Sequence, residues 1–230
     1  ISGCCLHAGA PERPQPVVAG YSQDVEVDSE RGRIRITELT RGLENPWSLA
    51  LLPDGNMLVS ERPGRLLKLD GNLLAQIEGL PTIFVDGQAG LLDVVPAPDF
   101  ASSKLVYLSF AKPNLRGNLA GTAVFRARLE GNALVDGKVI YEQEPKLSSG
   151  THVGSRLVFD GRGHLFVTQG ENNKRPTAQD LDKLQGKLVR LNLDGSIPAD
   201  NPFVGREGVR PEIWSYGHRN MQGGALNPWS

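Results

Sequence analysis

The chain has 230 residues, with 25 Lys and Arg against 26 Asp and Glu and a net charge of −1 at pH 7. That balance argues against a dedicated nucleic-acid binder, which would carry a basic excess, and the longest apolar runs, such as Leu49–Leu52, are far too short for a bilayer-spanning helix. The excess lies in 27 Gly and 16 Pro, which predict many short elements separated by turns.

In chain order, Ile1-Ser2-Gly3-Cys4 has the form of the end of a bacterial lipoprotein signal, and a chance match in a tail reads equally well. On the first reading Cys4 is a lipidation site whose two acyl chains anchor the protein to a membrane, in the periplasm or cell envelope. Cys5 follows at once, a bridge between neighbours closes almost no loop, and no later Cys exists, so the fold depends on no disulfide. Residues 1–30, with Pro11, Pro14 and Pro16, read as a signal remnant and disordered linker, and 31–230 as the folded domain. At the far end Asn227-Pro228-Trp229-Ser230 reads as the opening of a further element, and the chain as part of a longer one.

Between these ends the sequence repeats. Pro53-Asp54-Gly55 and Asp160-Gly161 each sit between apolar runs, as tight hairpins require. Leu67-Lys68-Leu69 and Val189-Arg190-Leu191 alternate with the period of a half-buried strand. Lys104–Phe110 and Thr122–Gly131 supply a middle copy. Third strands start near residues 64, 122 and 186, a spacing of about 60 residues, with a short helical turn allowed before the last. This order predicts an all-β fold: a β-propeller of four-stranded antiparallel blades, with a large sandwich as the alternative.

In a propeller the innermost strand of each blade lines a central channel, so residues just before those strands converge on one rim. Those positions hold Gln88, His152, Arg219, Asn220 and Gln222, a polar cluster with one titratable base carried on loops. Each has a structural alternative: a hydrogen-bonding histidine, an ion-paired arginine, glutamines bonding inter-blade backbone. His164, at a hairpin, reads as solvent-exposed, and Trp47, Trp214 and Trp229 as inter-blade packing. Asp180 and Asp182 read as blade-edge hydrogen-bonding groups, with a cation site as the alternative.

Several segments together resemble the soluble quinoprotein aldose and glucose/sorbosone dehydrogenases. They are Asn45-Pro46-Trp47-Ser48-Leu49-Ala50, Gly87-Gln88-Ala89-Gly90-Leu91-Leu92-Asp93, His152-Val153-Gly154-Ser155-Arg156-Leu157-Val158-Phe159, Ala178–Asp182, Gly186–Phe203 and Tyr216-Gly217-His218-Arg219-Asn220-Met221-Gln222-Gly223. The resemblance implies a six-bladed propeller, of which about three and a half blades are present here. It implies pyrroloquinoline quinone (PQQ) as cofactor, an aldose as substrate and an external electron acceptor. His152 then looks like the base that takes the proton of the anomeric hydroxyl, Gln88 like the residue that orients the sugar, and Arg219 and Asn220 like the contacts to the quinone oxygens, with Gln222 supporting the pocket.

Two positions depart from the family pattern. Met221 stands where a proline is usual, which loosens the loop carrying Asn220. Thr151 stands where glucose-type members often have an acid, which resembles the broader aldose branch. The resemblance puts the calcium ligands and the basic residues for the cofactor carboxylates in further blades, so 1–230 alone is expected to hold no metal site, to be unstable and to lack quinone-dependent activity. The rival readings are a calcium-dependent propeller lactonase or hydrolase, which would need a carboxylate cluster at the channel, and a non-catalytic binding propeller.

Overall fold

A computed structural model describes residues 24–71, 73–227 and 229. Cys4 and most of the 1–30 segment therefore lie outside the described residues.

The first described element is a hairpin of β1 (Asp24–Ser29) and β2 (Gly32–Thr37). Regular structure thus begins inside the segment read as linker, which corrects its boundary. The composition hid the hairpin because its strands are short and charged. Val25 and Val27 pair with Ile36 and Ile34 on one face. On the other, Arg33 bonds Asp28 and Glu26.

Three four-stranded antiparallel sheets follow. The first is β3 (Pro46–Leu51), β4 (Met57–Glu61), β5 (Arg65–Asp70) and β6 (Leu73–Ile77). The second is β7 (Leu91–Pro96), β8 (Leu105–Pro113), β9 (Ala120–Glu130) and β10 (Ala133–Glu142), with a single helical turn, α1 (Phe100–Ser103), between its first two strands. The third is β11 (Gly154–Phe159), β12 (His164–Gln169), β13 (Lys187–Asn192) and β14 (Ile213–Tyr216). In each sheet the strands pair strictly in chain order, the meander of a propeller blade. The third strands begin at residues 65, 120 and 187, within two residues of the predicted starts. A 3₁₀ turn at Arg175–Ala178 is the short helical turn allowed for.

The first strands β3, β7 and β11 pack on one another and so line the channel. Apolar residues fill the space between blades. Leu58, Leu66, Leu91, Val106 and Phe110 join the first blade to the second. Tyr107, Val124, Leu157, Val167 and Val189 join the second to the third. Strands sandwiched this way are buried on both faces, which is why β8 reads as a near-continuous apolar run.

The described residues hold three whole blades and the two-stranded β1–β2 hairpin, in line with about three and a half blades. After β14 no strand follows among the described residues, and the remaining paired strands are the β1–β2 hairpin. Among the described residues no helix is long and apolar enough to cross a membrane.

Some side chains differ from expectation. His164 is half-buried: its Nδ1 lies 2.6 Å from Asp160 Oδ2 and its Nε2 3.2 Å from Arg190. Trp47 does meet another blade, with the Arg156 guanidinium 4.5 Å from its ring. Trp214 instead packs within its own sheet against Phe166, and Trp229 is exposed. Asp180 and Asp182 share the Lys183 ammonium rather than holding a blade edge.

Candidate active site at the channel rim

The rim is built from the strand ends of two neighbouring blades. Gln88 precedes β7 and His152 precedes β11, and the Gln88 side-chain oxygen accepts the His152 backbone N–H at 2.8 Å. Gln88 is in turn held by its own N–H, which donates to Gly150 O at 2.6 Å. The bond from Gln88 to inter-blade backbone is therefore real, and it sets the orientation of the amide. With its oxygen engaged, the Gln88 NH₂ remains for a ligand.

His152 has φ of +50°, a left-handed conformation that a residue with a Cβ adopts rarely. The strain is offset by two backbone bonds: the one from Gln88, and Asn172 N–H donating to His152 O at 3.1 Å. Such over-determined outliers concentrate at functional sites. Gly170 lies against this turn, where a Cβ would overlap His152 O.

The imidazole meets a carboxylate that sequence reading missed. His152 Nδ1 lies 2.5 Å from Glu171 Oε1, and the Glu171 side chain is 1% exposed. Register explains the pairing. Gly154 is opposite Gln169 across β11 and β12, so two residues further toward the rim His152 faces Glu171. The signal was present in Gln169-Gly170-Glu171-Asn172, an acid just beyond the rim end of a second strand. Because a carboxylate accepts, the His152 proton belongs on Nδ1, and Nε2 is left as the acceptor.

Arg219 and Asn220 complete the group. Arg219 O accepts the Glu171 N–H at 2.9 Å, and the exposed Arg219 side chain brings Nε to 4.0 Å from Glu171 Oε1. Asn220 Oδ1 accepts the Gly154 N–H at 3.1 Å, and Asn220 bridges Gly170. Its NH₂, like that of Gln88, is left for a ligand. Gln88, His152, Glu171, Arg219 and Asn220 thus form one connected chain of contacts. Gln222 stands apart: its side chain is exposed, and the recorded contact is through its carbonyl, which accepts from Arg156 Nε at 3.3 Å.

Below the rim lies a second polar layer that was also missed. The Asp93 carboxylate, fully buried, accepts from Ser48 Oγ at 2.6 Å, Arg156 Nη1 at 2.7 Å and Leu157 N–H at 2.8 Å. Burial raises the Asp93 pKa above the ordinary carboxylate range, while the Leu157 N–H, Ser48 and Arg156 hold the rise back. This layer ties the first strands of all three blades together.

The donors left over at the rim are a guanidinium and two amide NH₂ groups, beside one imidazole acceptor. Glu171 Oε2 and the Asn172 side-chain oxygen are buried with no partner among the described residues. The guanidinium and the two amides suit the carbonyl oxygens of a quinone, and the unpartnered oxygens suit hydroxyl donors. No group of three or more His, Cys, Asp or Glu that could hold a metal ion occurs among the described residues.

Comparison with known proteins points to one family. The family model described as Glucose / Sorbosone dehydrogenase matches residues 43–230. Aldose sugar dehydrogenase YliI of Escherichia coli strain K12 is 52% identical over 202 residues, covering 86% of this chain and 54% of that protein. The crystal structure of the soluble aldose sugar dehydrogenase of Escherichia coli in the apo form superposes with a TM-score of 0.78 at 55% identity, covering 81% of this chain and 55% of that one. The PQQ-bound aldose sugar dehydrogenase of Streptomyces coelicolor superposes with a TM-score of 0.70 at 27% identity, covering 90% of this chain and 57% of that one. The chain spans about half the length of the curated relatives it matches.

Proposed function

Because the chain belongs to the glucose/sorbosone dehydrogenase family, we propose that its rim site oxidises the anomeric carbon of an aldose, with pyrroloquinoline quinone as the hydride acceptor. The observation that carries this reading is the His152–Glu171 pair, set 2.5 Å apart on a rim that also presents Gln88, Arg219 and Asn220. When bound, the quinone supplies the two-electron sink that no side chain provides.

The residues supply the rest. His152 Nε2, freed as acceptor by the Nδ1 contact with Glu171, takes the proton of the anomeric hydroxyl as the C–H bond breaks. Proton removal makes the carbon a better hydride donor, and an imidazole suits that task near neutral pH. Gln88 donates its NH₂ to the sugar and holds the His152 backbone, so substrate and base share one anchor. Arg219 and Asn220 aim a cation and an amide at oxygens where negative charge grows. The product is a lactone, and the electrons pass on to an external acceptor. Gln222 supports this segment through its carbonyl, which accepts from Arg156 Nε at 3.3 Å.

Among the described residues the rival hydrolase reading finds no carboxylate cluster at the channel. Asp93 is enclosed by four donors, Ser48, Arg156 and the Leu157 and Val94 N–H groups, and Glu171 Oε1 is engaged by His152. A dye-linked assay of the whole protein, loaded with quinone and given an aldose, tests the proposal. His152→Ala should lose about 10²- to 10⁴-fold in turnover while retaining quinone affinity. Turnover equal to wild type would remove His152 from the mechanism, and lactone hydrolysis without aldose oxidation would favour the hydrolase.

A further inference from the structure

One hydrogen-bonding device recurs in all three blades. In the first, Ser60 Oγ accepts the Ser48 N–H at 3.1 Å and donates to Leu92 O in the second blade. In the second, Ser109 Oγ accepts the Asp93 N–H at 2.9 Å and donates to Ser155 O in the third, at 2.7 Å. In the third, Thr168 Oγ1 accepts the Arg156 N–H at 2.7 Å and donates to Met221 O, also at 2.7 Å. Each hydroxyl sits on a second strand. It accepts from a first-strand N–H at an irregularity in the register (Ser48 beside the shift, Asp93 and Arg156 within it), and it clasps the carbonyl of the next repeat.

The receiving carbonyls define equivalent positions. Leu92 precedes Asp93, Ser155 precedes Arg156, and Met221 precedes Gln222. Ser48, Asp93, Arg156 and Gln222 are therefore the same position in four successive repeats, although no strand is formed at the fourth. Three of these side chains bond one another, and the third reaches the fourth: Arg156 Nε donates to Gln222 O at 3.3 Å.

From this we propose that Thr168 and Arg156 are positioning residues for the Arg219–Asn220 segment, which they fasten to the third blade through Met221 O and Gln222 O. The proposal rests on the functional reading above. The segment has no strand ladder of its own. Asn220 itself meets the Gly154 N–H and bridges Gly170, and the segment is further held by these two carbonyl clasps on one side of Asn220 and by the Glu171 N–H on Arg219 O at 2.9 Å on the other. Loss of a clasp leaves a buried hydroxyl site empty and a carbonyl free to swing, so the amide of Asn220 and the guanidinium of Arg219 lose their aim. Met221, where a proline would stiffen the loop, makes the segment depend on the clasp.

The test is quinone affinity in the whole apo-protein, by titration with pyrroloquinoline quinone followed by calorimetry and by the absorption spectrum of the bound quinone. Thr168→Val should weaken affinity about tenfold and shift the spectrum, and Thr168→Ser should restore both. Arg156→Lys should weaken affinity in the same direction. Ser60→Ala removes the same clasp between the first two blades, so it should lower the melting temperature like Thr168→Val yet leave quinone affinity at the wild-type value. Equal affinity in Thr168→Val and wild type, or equal loss in Thr168→Val and Ser60→Ala, would overturn the positioning role alone. A wild-type protein that takes up no quinone would overturn the functional reading and this inference with it.

Discussion

His152 shows how one residue carries two constraints. Its backbone is bent into a left-handed turn that Gln88 and Asn172 hold, and its ring is held by Glu171 at 2.5 Å. The side chain reaches a fixed place because backbone and ring are both tied. Replacement of Glu171 by Gln keeps the size and removes the charge. On the proposed mechanism this should lower kcat for aldose oxidation on the order of 10²-fold, near the lower end of what a positioned base contributes, with KM little changed. Unchanged kcat in Glu171→Gln would show that the carboxylate does not serve the base. Most of the rim was legible in the sequence: the glycine-flanked loops before the first strands marked Gln88, His152, Arg219 and Asn220. Glu171 was not, because its place depends on the register of β11 against β12, which alternation does not encode. Asp93 lay inside a quoted motif, yet its role depends on Ser48 and Arg156 from two other blades.

Lys187 illustrates what a strand start can demand. It opens β13, its side chain is fully buried, and its Nζ donates to Thr177 O and Gln185 O, each at 2.8 Å. The ammonium thereby clips the 3₁₀ turn at Arg175–Ala178 to the strand. Burial lowers its pKa from 10.5 to about 8. Between about pH 8 and 10.5 the unfolded chain binds a proton that the folded chain has lost, so this group makes stability rise with pH across that window. Below it both states are protonated and the cost of the buried charge is present in full, up to ~3 kcal/mol. Denaturant titrations of wild type and Lys187→Met at pH 7.5 and 9.5, values chosen to straddle the lowered pKa of about 8, check the sign. Wild type should gain stability relative to Lys187→Met on going to the higher pH, and identical slopes would contradict the assignment. The same element shows where pattern reading held and where it stopped. Gly186 and the repeat placed β13 correctly, while the inward turn of Arg190, bonded to Asp200 at 2.6 Å and stacked on Trp214, follows from the long excursion between β13 and β14.

Across the whole arc, three sheets with a shared strand order bury two apolar interfaces and converge on one polar channel. The blades were legible because Asp-Gly turns and short strands recur at a near-constant spacing, a property of local sequence. The β1–β2 hairpin escaped because charge masks its apolar face, Val25, Val27, Ile34 and Ile36. The channel's hydroxyl clasps escaped for a different reason: Ser60, Ser109 and Thr168 are ordinary strand residues until their neighbours from the next repeat are in place. Function at this level is a matter of assembly, since Gln88 and His152 precede the first strands of different blades and meet only when the blades pack. The proposed chemistry requires the anomeric C–H bond to break on the assembled rim. Rapid anaerobic mixing of the whole quinone-loaded protein with an aldose, protiated or deuterated at the anomeric carbon, observes that event in a single turnover. The expected result is full reduction of the bound quinone, slower with the deuterated sugar, and lost in His152→Ala. A quinone that stays oxidised in the wild-type protein, or reduction that ignores the label and survives the loss of His152, would contradict it.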